Sequence, residues 1–448
     1  MAPHITVPVP ADAVRLARRR RWRWGALAVC TLMLGAGLTR RCPQGEWSRP
    51  VEVWSGGTAG PGDTLQIDFR PALAAGARAA YAVGTIGTAM AKPAPEPLLA
   101  RQIGGGSLGS PEGGRTFVHP RAAVDGAGIL HMLWAESDPS GAPAAGPGRP
   151  RLSRLMYGRY ARGEWSRAET VYTGLPLWHT ANNSDLLIGD DGLHAAFVAV
   201  RPGTGPVLVH LRSSATGWRA TEINRDSAYA AGPARGGAYP RLAVGGGGRV
   251  YLAFVAAART AAGPQAPNAN SVFLMRSGDG GASWSRPVLV SYSGQDQATD
   301  PQLLAAGGDT LHLLWGKNLH GGVWAEVVWH AFSADGGATW TAPVEVGVPG
   351  HAGQLHNLRA TMAPAGRLHL AFRASGHGLA DDARAGIYHA TWSGAWSSLQ
   401  RVDVASGAAG FDLAADGEGR LHLLWQATGP GGLRSLLHSV HPPCDQSG

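Results

Sequence analysis

Lysine is almost missing from this chain: Lys92 and Lys317 are the only two in 448 residues. Blocks rich in Glu and Lys, the usual material of long surface helices, are absent with it, which argues against a helical bundle or coiled coil. Cysteine is nearly as rare. Three thiols, Cys30, Cys42 and Cys444, exclude a disulfide-dense scaffold and a cysteine-ligated zinc module. No phosphate loop or zinc-ligand spacing occurs, so neither cofactor nor metal is expected. The formal charge of +8 hints at an acidic partner until it is located. Residues 1–41 hold eight arginines against Asp12, which is 8 − 1 = +7 and leaves about +1 for all the rest. The remainder is nearly neutral, and charge gives nucleic-acid binding no support. What is abundant is 65 Gly, 31 Pro and 16 Trp, a composition suited to many short strands joined by turns.

The basic charge belongs to a targeting segment. Arg18 to Arg21 and Arg23 precede an apolar run, Trp24 to Leu38, which ends at Thr39-Arg40-Arg41-Cys42. A basic head followed by a short apolar stretch reads as a secretory signal or short signal anchor spanning 1–41, its charged end left in the cytoplasm. Export to the periplasm, cell envelope or medium is therefore expected, with residues 24–38 as the only contact with a membrane. Arg41 occupies the place where a lipoprotein signal needs a small residue, which argues against lipidation of Cys42.

Residues 42–448 are organised around two copies of one phrase, Ser277-Gly-Asp279-Gly-Gly281-Ala-Ser-Trp284 and Ser333-Ala-Asp335-Gly-Gly337-Ala-Thr-Trp340, 333 − 277 = 56 residues apart. Apolar runs flank each copy, so each sits at a hairpin turn where the carboxylate accepts backbone N–H bonds and the glycines allow positive φ. A second phrase, of the form G-x-L-H-L-x-W, begins with Gly128 to Trp134 and returns around His194, Tyr251, His312, His369 and His422. Recurrence at this spacing marks a repeat architecture. The alternation of apolar and polar residues predicts strands, four to a repeat: 119–172, 183–224, 239–290, 300–346, 356–403 and 411–440. The last repeat lacks its outer strand, and Glu46 to Val53 resembles the missing piece. We therefore expect an all-β propeller of six or seven four-stranded antiparallel blades, closed by pairing of its N-terminal and C-terminal strands. A degenerate blade is expected over 61–118, with strands at Asp63 to Phe69, Arg78 to Thr85 and Pro97 to Ile103. Closure would bring Cys42 near Cys444, and a disulfide there is expected in an exported protein. The recurrent histidines would stand one per blade, too far apart to share a metal ion, and packing with a hydrogen bond to the next blade is the simpler role.

The two turn phrases resemble the Asp-box (BNR repeat) of sialidase-like β-propellers, through Ser277, Asp279, Gly281 and Trp284 and through Ser333, Asp335, Gly337 and Trp340. In that family the turns are structural. Counting ten residues back from the recurrent histidine, or from Tyr251 in its slot, and nine back from His194, gives one polar residue per inner strand: Arg121, Asp185, Arg241, Gln302, Arg359 and Asp412. Two residues earlier, on the same strand face by the period of two, stand His119, Asn183, Tyr239, Asp300, Asn357 and Gly410. Both sets would line one mouth of the central channel, under long loops at 135–150 and 256–270.

Arg121, Arg241 and Arg359 form a candidate carboxylate cluster, since guanidinium offers paired donors matched to two oxygens. The resemblance implies the same, because sialidases hold the sugar acid's carboxylate with three arginines. The family's Arg-Ile-Pro segment is absent, however, and the triad has no residue-by-residue match. His119, Gln302, Asn357 and Asp412 complete the candidate ligand-binding set. The arginines have a structural alternative, which is to neutralise Asp185 and Asp412. If the chain is a retaining exo-sialidase or related glycoside hydrolase, Tyr239 is the candidate nucleophile, Asp300 or Asp185 the acid, and Glu136 the activating carboxylate, with Asp138, Asp381 and Asp382 within loop reach. Three readings follow: an exported propeller recognising an anionic or glycan ligand, a hydrolase of sialidase type, and a non-catalytic scaffold that binds a protein. A monomer is expected in each case.

Overall fold

The computed structural model describes residues 46–55, 58–60, 63–67, 72–76, 79–88, 98–102, 107–108, 111–112, 118–137, 152–177, 184–201, 205–223, 239–257, 259–260, 263–264, 270–291, 297–318, 325–347, 354–375, 385–403, 410–428 and 434–443. Six regular blades follow one another. Blade 1 holds Val118–Val124, Leu130–Ser137 and Leu152–Ala161, with an outer edge split into Glu164–Trp165 and Glu169–Thr173. Blade 2 is Ser184–Gly189, Gly192–Arg201, Gly205–Ser214 and Gly217–Glu222; blade 3 is Arg241–Val244, Val250–Ala257, Asn270–Ser277 and Val288–Leu289. Blade 4 is Gln297–Ala305, Leu311–Asn318, Val327–Ser333 and Val344–Val346; blade 5 is Gln354–Ala363, Arg367–Ser375, Gly386–Trp392 and Gln400–Asp403. The closing blade runs Phe411–Ala415, Leu421–Thr428 and Arg434–His441, and its outer strand is Val51–Ser55 from the other end of the chain. Every strand pair is antiparallel, and the described residues contain no α-helix.

The closure expected from Glu46 to Val53 is present. Val51 stands opposite His438 and Ser55 opposite Ser435, while the Ser48 amide donates to the Val440 carbonyl at 2.8 Å. The proposed Cys42–Cys444 disulfide lies outside the described residues, as does the basic segment 1–41.

An irregular sheet fills the sector between the closing blade and blade 1, and here the expected strands shift by one place. Its inner strand is Ala72–Ala75, paired to Ala80–Thr88, which pairs in turn with Leu98–Gln102. The stretch read as the second strand, Asp63 to Phe69, forms Asp63–Ile67 on the far end of Ala80–Thr88, with Leu65 opposite Thr88. The reason lies in the hairpin. Tyr81 faces Ala74 as Tyr251 faces Ala243 and His131 faces Ala123. The hairpin puts Tyr81 nine residues after its inner-strand position, as His194 stands nine after Asp185, but Ala72 carries no polar group to betray it.

Each blade buries an apolar face against the next. Leu313 and Trp315 of blade 4 pack on Ala253 and Leu274 of blade 3, and Leu314 from the opposite face packs on Phe372 of blade 5. The recurrent histidines do not reach across these interfaces as expected. Each pairs inside its own blade with a residue of the third strand: His194 with His210 at 3.1 Å, His312 with His330 at 3.0 Å, His369 with His389 at 3.1 Å, His422 with His438 at 3.0 Å, and His131 with the Tyr157 hydroxyl at 2.7 Å. A diagonal neighbour on the same face of an antiparallel pair is within reach of a long ring, so the within-blade bond wins. Three of the histidines also donate to a carboxylate in the preceding turn, Asp125, Asp191 or Asp416.

Both Ser-x-Asp turns are stitched by their own side chains. Asp279 accepts from the Ser277 and Ser283 hydroxyls at 2.7 and 2.6 Å and from the Ser283 amide at 2.9 Å; Asp335 does the same with Ser333 and Thr339 at 2.8, 2.6 and 2.8 Å. These bonds hold both carboxyls well below the usual range. Trp284 donates to the Gly281 carbonyl at 3.1 Å and meets His210 of blade 2 edge-on at 5.2 Å. Gly281, at φ 89°, lies so close to that imidazole that a Cβ would come within 2.0 Å of it. Gly337 stands likewise against Leu274 of blade 3, at 2.2 Å.

Two outcomes follow from this packing. Gly281→Ala combines positive φ with a clash and is expected to cost about 2–4 kcal/mol. Gly163→Ala, also at positive φ (88°) but in open space, should cost only about 1 kcal/mol; equal shifts in urea unfolding would refute the interlocking. Burial pushes His210 and His389 down to about 3 and His438 to about 4. The unfolded chain therefore binds protons first as pH falls. Stability should be complete above about pH 6.5 and decline toward pH 4, by up to about 1.4 kcal/mol per unit for each such histidine. A urea midpoint that stays constant from pH 7 to 4 would contradict it.

Candidate functional site

The seven inner strands bring residues from distant parts of the chain to one opening. Arg121, Asp185, Arg241, Gln302, Arg359 and Asp412 all line a cavity of about 210 Å³, with Ala72 closing the circle and Leu186, Leu187, Leu242, Leu303 and Leu413 forming apolar wall. All six positions read from the repeat spacing thus converge.

The ring members are held by their own backbone, by the neighbouring blade, or by both. Arg241, Gln302 and Arg359 donate to the carbonyl of the preceding residue, Pro240, Pro301 and Leu358, at 2.8 Å. Arg121 donates through Nε to the Ser184 carbonyl of blade 2 at 2.9 Å. The Asp185 carboxylate accepts from the Leu242 amide of blade 3 at 2.8 Å, and Asp412 from the Leu73 amide of the irregular sheet at 2.9 Å. Arg359 Nε pairs with Asp412 Oδ1 at 3.0 Å. The alternation of Arg and Asp is therefore partly structural, because the carboxylates tie adjacent inner strands together.

The ring still carries an excess of positive charge, three guanidinium groups against two carboxylates. Burial, and then repulsion from Arg241 and Arg359, lowers Arg121 to about 9. Burial raises the Asp185 carboxyl against the opposing pull of Arg241. Such clustering of like charge around a small polar cavity favours an anion at the centre, where two oxygens can meet several donors at once.

The residues placed two positions before the ring behave differently from expectation. Tyr239, Asp300 and Asn357 have positive φ of 44°, 45° and 54°, in three successive blades. In blades 4 and 5 the ladder skips at that point, between Thr299 and Gln302 and between His356 and Arg359. A left-handed residue in a bulge breaks the period of two and re-aims the side chain. Tyr239 accordingly packs on the blade 3–blade 4 cluster containing Ala298, Leu303 and Trp315, and neither it, Asp300 nor Asn357 is in the cavity wall. Only a polar or ring-bearing residue before Pro240 and Pro301 hinted at this, and strand alternation alone missed it.

Glu136 is also away from the ring. It is buried near the end of the second strand of blade 1, accepting from Trp134 Nε1 at 3.2 Å and from Arg154 at 3.3 Å. The candidate nucleophile, acid and activating carboxylate are thus not assembled around the cavity; of the four, Asp185 alone lines it. The side chain of His119, and all of Asn183, Asp138, Asp381 and Asp382, lie outside the described residues.

No family model matches the sequence, and no curated protein matches it either. Solved structures of similar fold include a protein of unknown function from Dyadobacter fermentans, at 17% identity and a TM-score of 0.48, covering 72% of this chain and 94% of that one. An α-L-arabinanase of Penicillium chrysogenum is similar at 12% identity and a TM-score of 0.45, over 73% of this chain and 93% of its own. A Hadza microbial sialidase is similar at 14% identity and a TM-score of 0.45, over 81% and 76%.

Asp412→Ala strands the Leu73 amide and the Arg359 guanidinium together, so thermal denaturation should report a loss of about 3–5 kcal/mol. Arg359→Met combined with Asp412→Leu should cost less than the sum of the single changes, and strict additivity would show that the pair is not coupled.

Proposed function

We propose that the chain is an exported propeller that recognises the carboxylate of an anionic ligand, an acidic sugar in the first place, at the opening of its central channel. The observation that carries this reading is the convergence of Arg121, Arg241 and Arg359 on one small cavity, where Asp185 and Asp412 are the carboxylates among the described lining residues. Three guanidinium charges against two carboxylates leave the ring one net positive charge, which an incoming monoanion neutralises. The likeness of the two Ser-x-Asp turns to the Asp-box of sialidase-like propellers supports a glycan acid as the ligand. The basic and apolar segment at 1–41 supports export. Binding is favoured over hydrolysis because Tyr239 packs between blades and Glu136 pairs with Arg154, which leaves no activated phenol among the described residues of the cavity wall.

A glycan array combined with a fluorogenic sialoside assay tests this reading. Acidic glycans should bind without turnover, and Arg121→Gln should weaken binding about 10- to 100-fold, the loss of a charge-assisted contact. Absence of binding to any acidic glycan would remove the proposal. Turnover would instead make the chain a hydrolase, with Asp185, the carboxyl raised by burial in the cavity wall, as the acid.

A further inference from the structure

A second cationic place lies above the ring, between blade 5 and the closing blade. Arg359 stands opposite Ala371, and two residues along the same strand Arg373 stands opposite His356. That step is about 7 Å of strand. Alternation puts Ala371 and Arg373 on one face, and Ile387, directly opposite Arg373, shares it. Ala371 and Ile387 pack against Phe411 and Trp425 of the closing blade, so Arg373 is on the face turned to that blade. The Arg359–Asp412 pair joins the same two blades lower down. Ser375, two residues further on, accepts or donates at 2.9 Å with His356 Nε2.

Arg373 is half-buried, and it makes no hydrogen bond or ion pair among the described residues. Burial lowers its pKa, and among the described residues no carboxylate acts in the other direction. A guanidinium taken partly out of water without an anion is costly, and such groups are ordinarily paired. Its neighbours His356 and Ser375 supply hydrogen-bonding groups of the kind that complete an oxyanion site.

Building on the ligand reading above, we propose that Arg373, His356 and Ser375 form a second anion subsite, and that the ligand is an acidic oligosaccharide carrying a carboxylate on each of two linked units. The ring takes one carboxylate and Arg373 the other. The pairing geometry places both cations along one blade interface, where a linear chain of two sugars spans them.

Calorimetric titration of the full chain with galacturonic acid, digalacturonic acid, N-acetylneuraminic acid and its α2,8-linked dimer separates the possibilities. The dimer of the preferred sugar should bind at least tenfold more tightly than its monomer. Arg373→Gln should abolish that difference while leaving monomer affinity unchanged, Arg373→Lys should restore part of it, and Arg121→Gln should weaken monomer and dimer alike. Circular dichroism melts confirm that each variant is folded. Equal affinity of wild type for monomer and dimer, or an equal effect of Arg373→Gln on both, overturns the second subsite while the ring reading stands. Failure of every probe to bind the wild-type protein overturns both.

Discussion

The carboxylate of Asp412 holds the channel together. With one oxygen it accepts the Leu73 amide of the next sheet, and with the other it meets Arg359 of the preceding blade. Asp185 repeats half of this arrangement toward Leu242. Inner strands of a propeller do not pair with one another by backbone ladders, so their amides near the axis need acceptors from side chains. Once a carboxylate is committed there, a cation must stand beside it. Three sites answer with arginine, which leaves one positive charge in surplus among the described residues of the ring.

Neither the irregular sheet nor the blades bearing positive-φ residues repeat the ring uniformly. Ala72 contributes no polar group, which leaves the side of the channel between the closing blade and blade 1 apolar. On the other side, Tyr239, Asp300 and Asn357 hold left-handed backbone in blades 3, 4 and 5. Such conformations in residues with a Cβ cost about 1–3 kcal/mol and persist where surrounding packing over-determines them. The described part of the mouth is therefore lopsided, rigid on one arc and plain on the other.

Much of this was legible in the sequence because the chain repeats itself. The phrase around His131 recurs nine or ten residues after the inner strand's polar position, and that spacing located the ring residues from Arg121 to Asp412. It failed at Ala72, which carries no polar group, and at Tyr239, Asp300 and Asn357, where a bulge overrides the alternation on which strand faces are read. The histidines were recognised as structural, but their partners were not: whether a ring bonds within or between blades depends on which third-strand residue stands diagonally opposite, and His210 or His438 gives no sign of that in isolation. The spacing does not single out Arg373 for a related reason. Its place on the face turned to the closing blade comes from strand register and packing, which belong to the folded neighbourhood and not to any string of residues.

Closure by Val51–Ser55 also bears on how the molecule comes into being. The strand formed from the first described residues has its mate among the last, Val51 against His438, so a ribosome cannot deliver a finished ring piecemeal. Blades can gather one after another as the polypeptide emerges, yet the circle stays open, with an unsatisfied sheet edge, until Arg434–His441 has been made. Shielding of that edge is therefore a late event, reached through a join between stretches that lie far apart along the polypeptide.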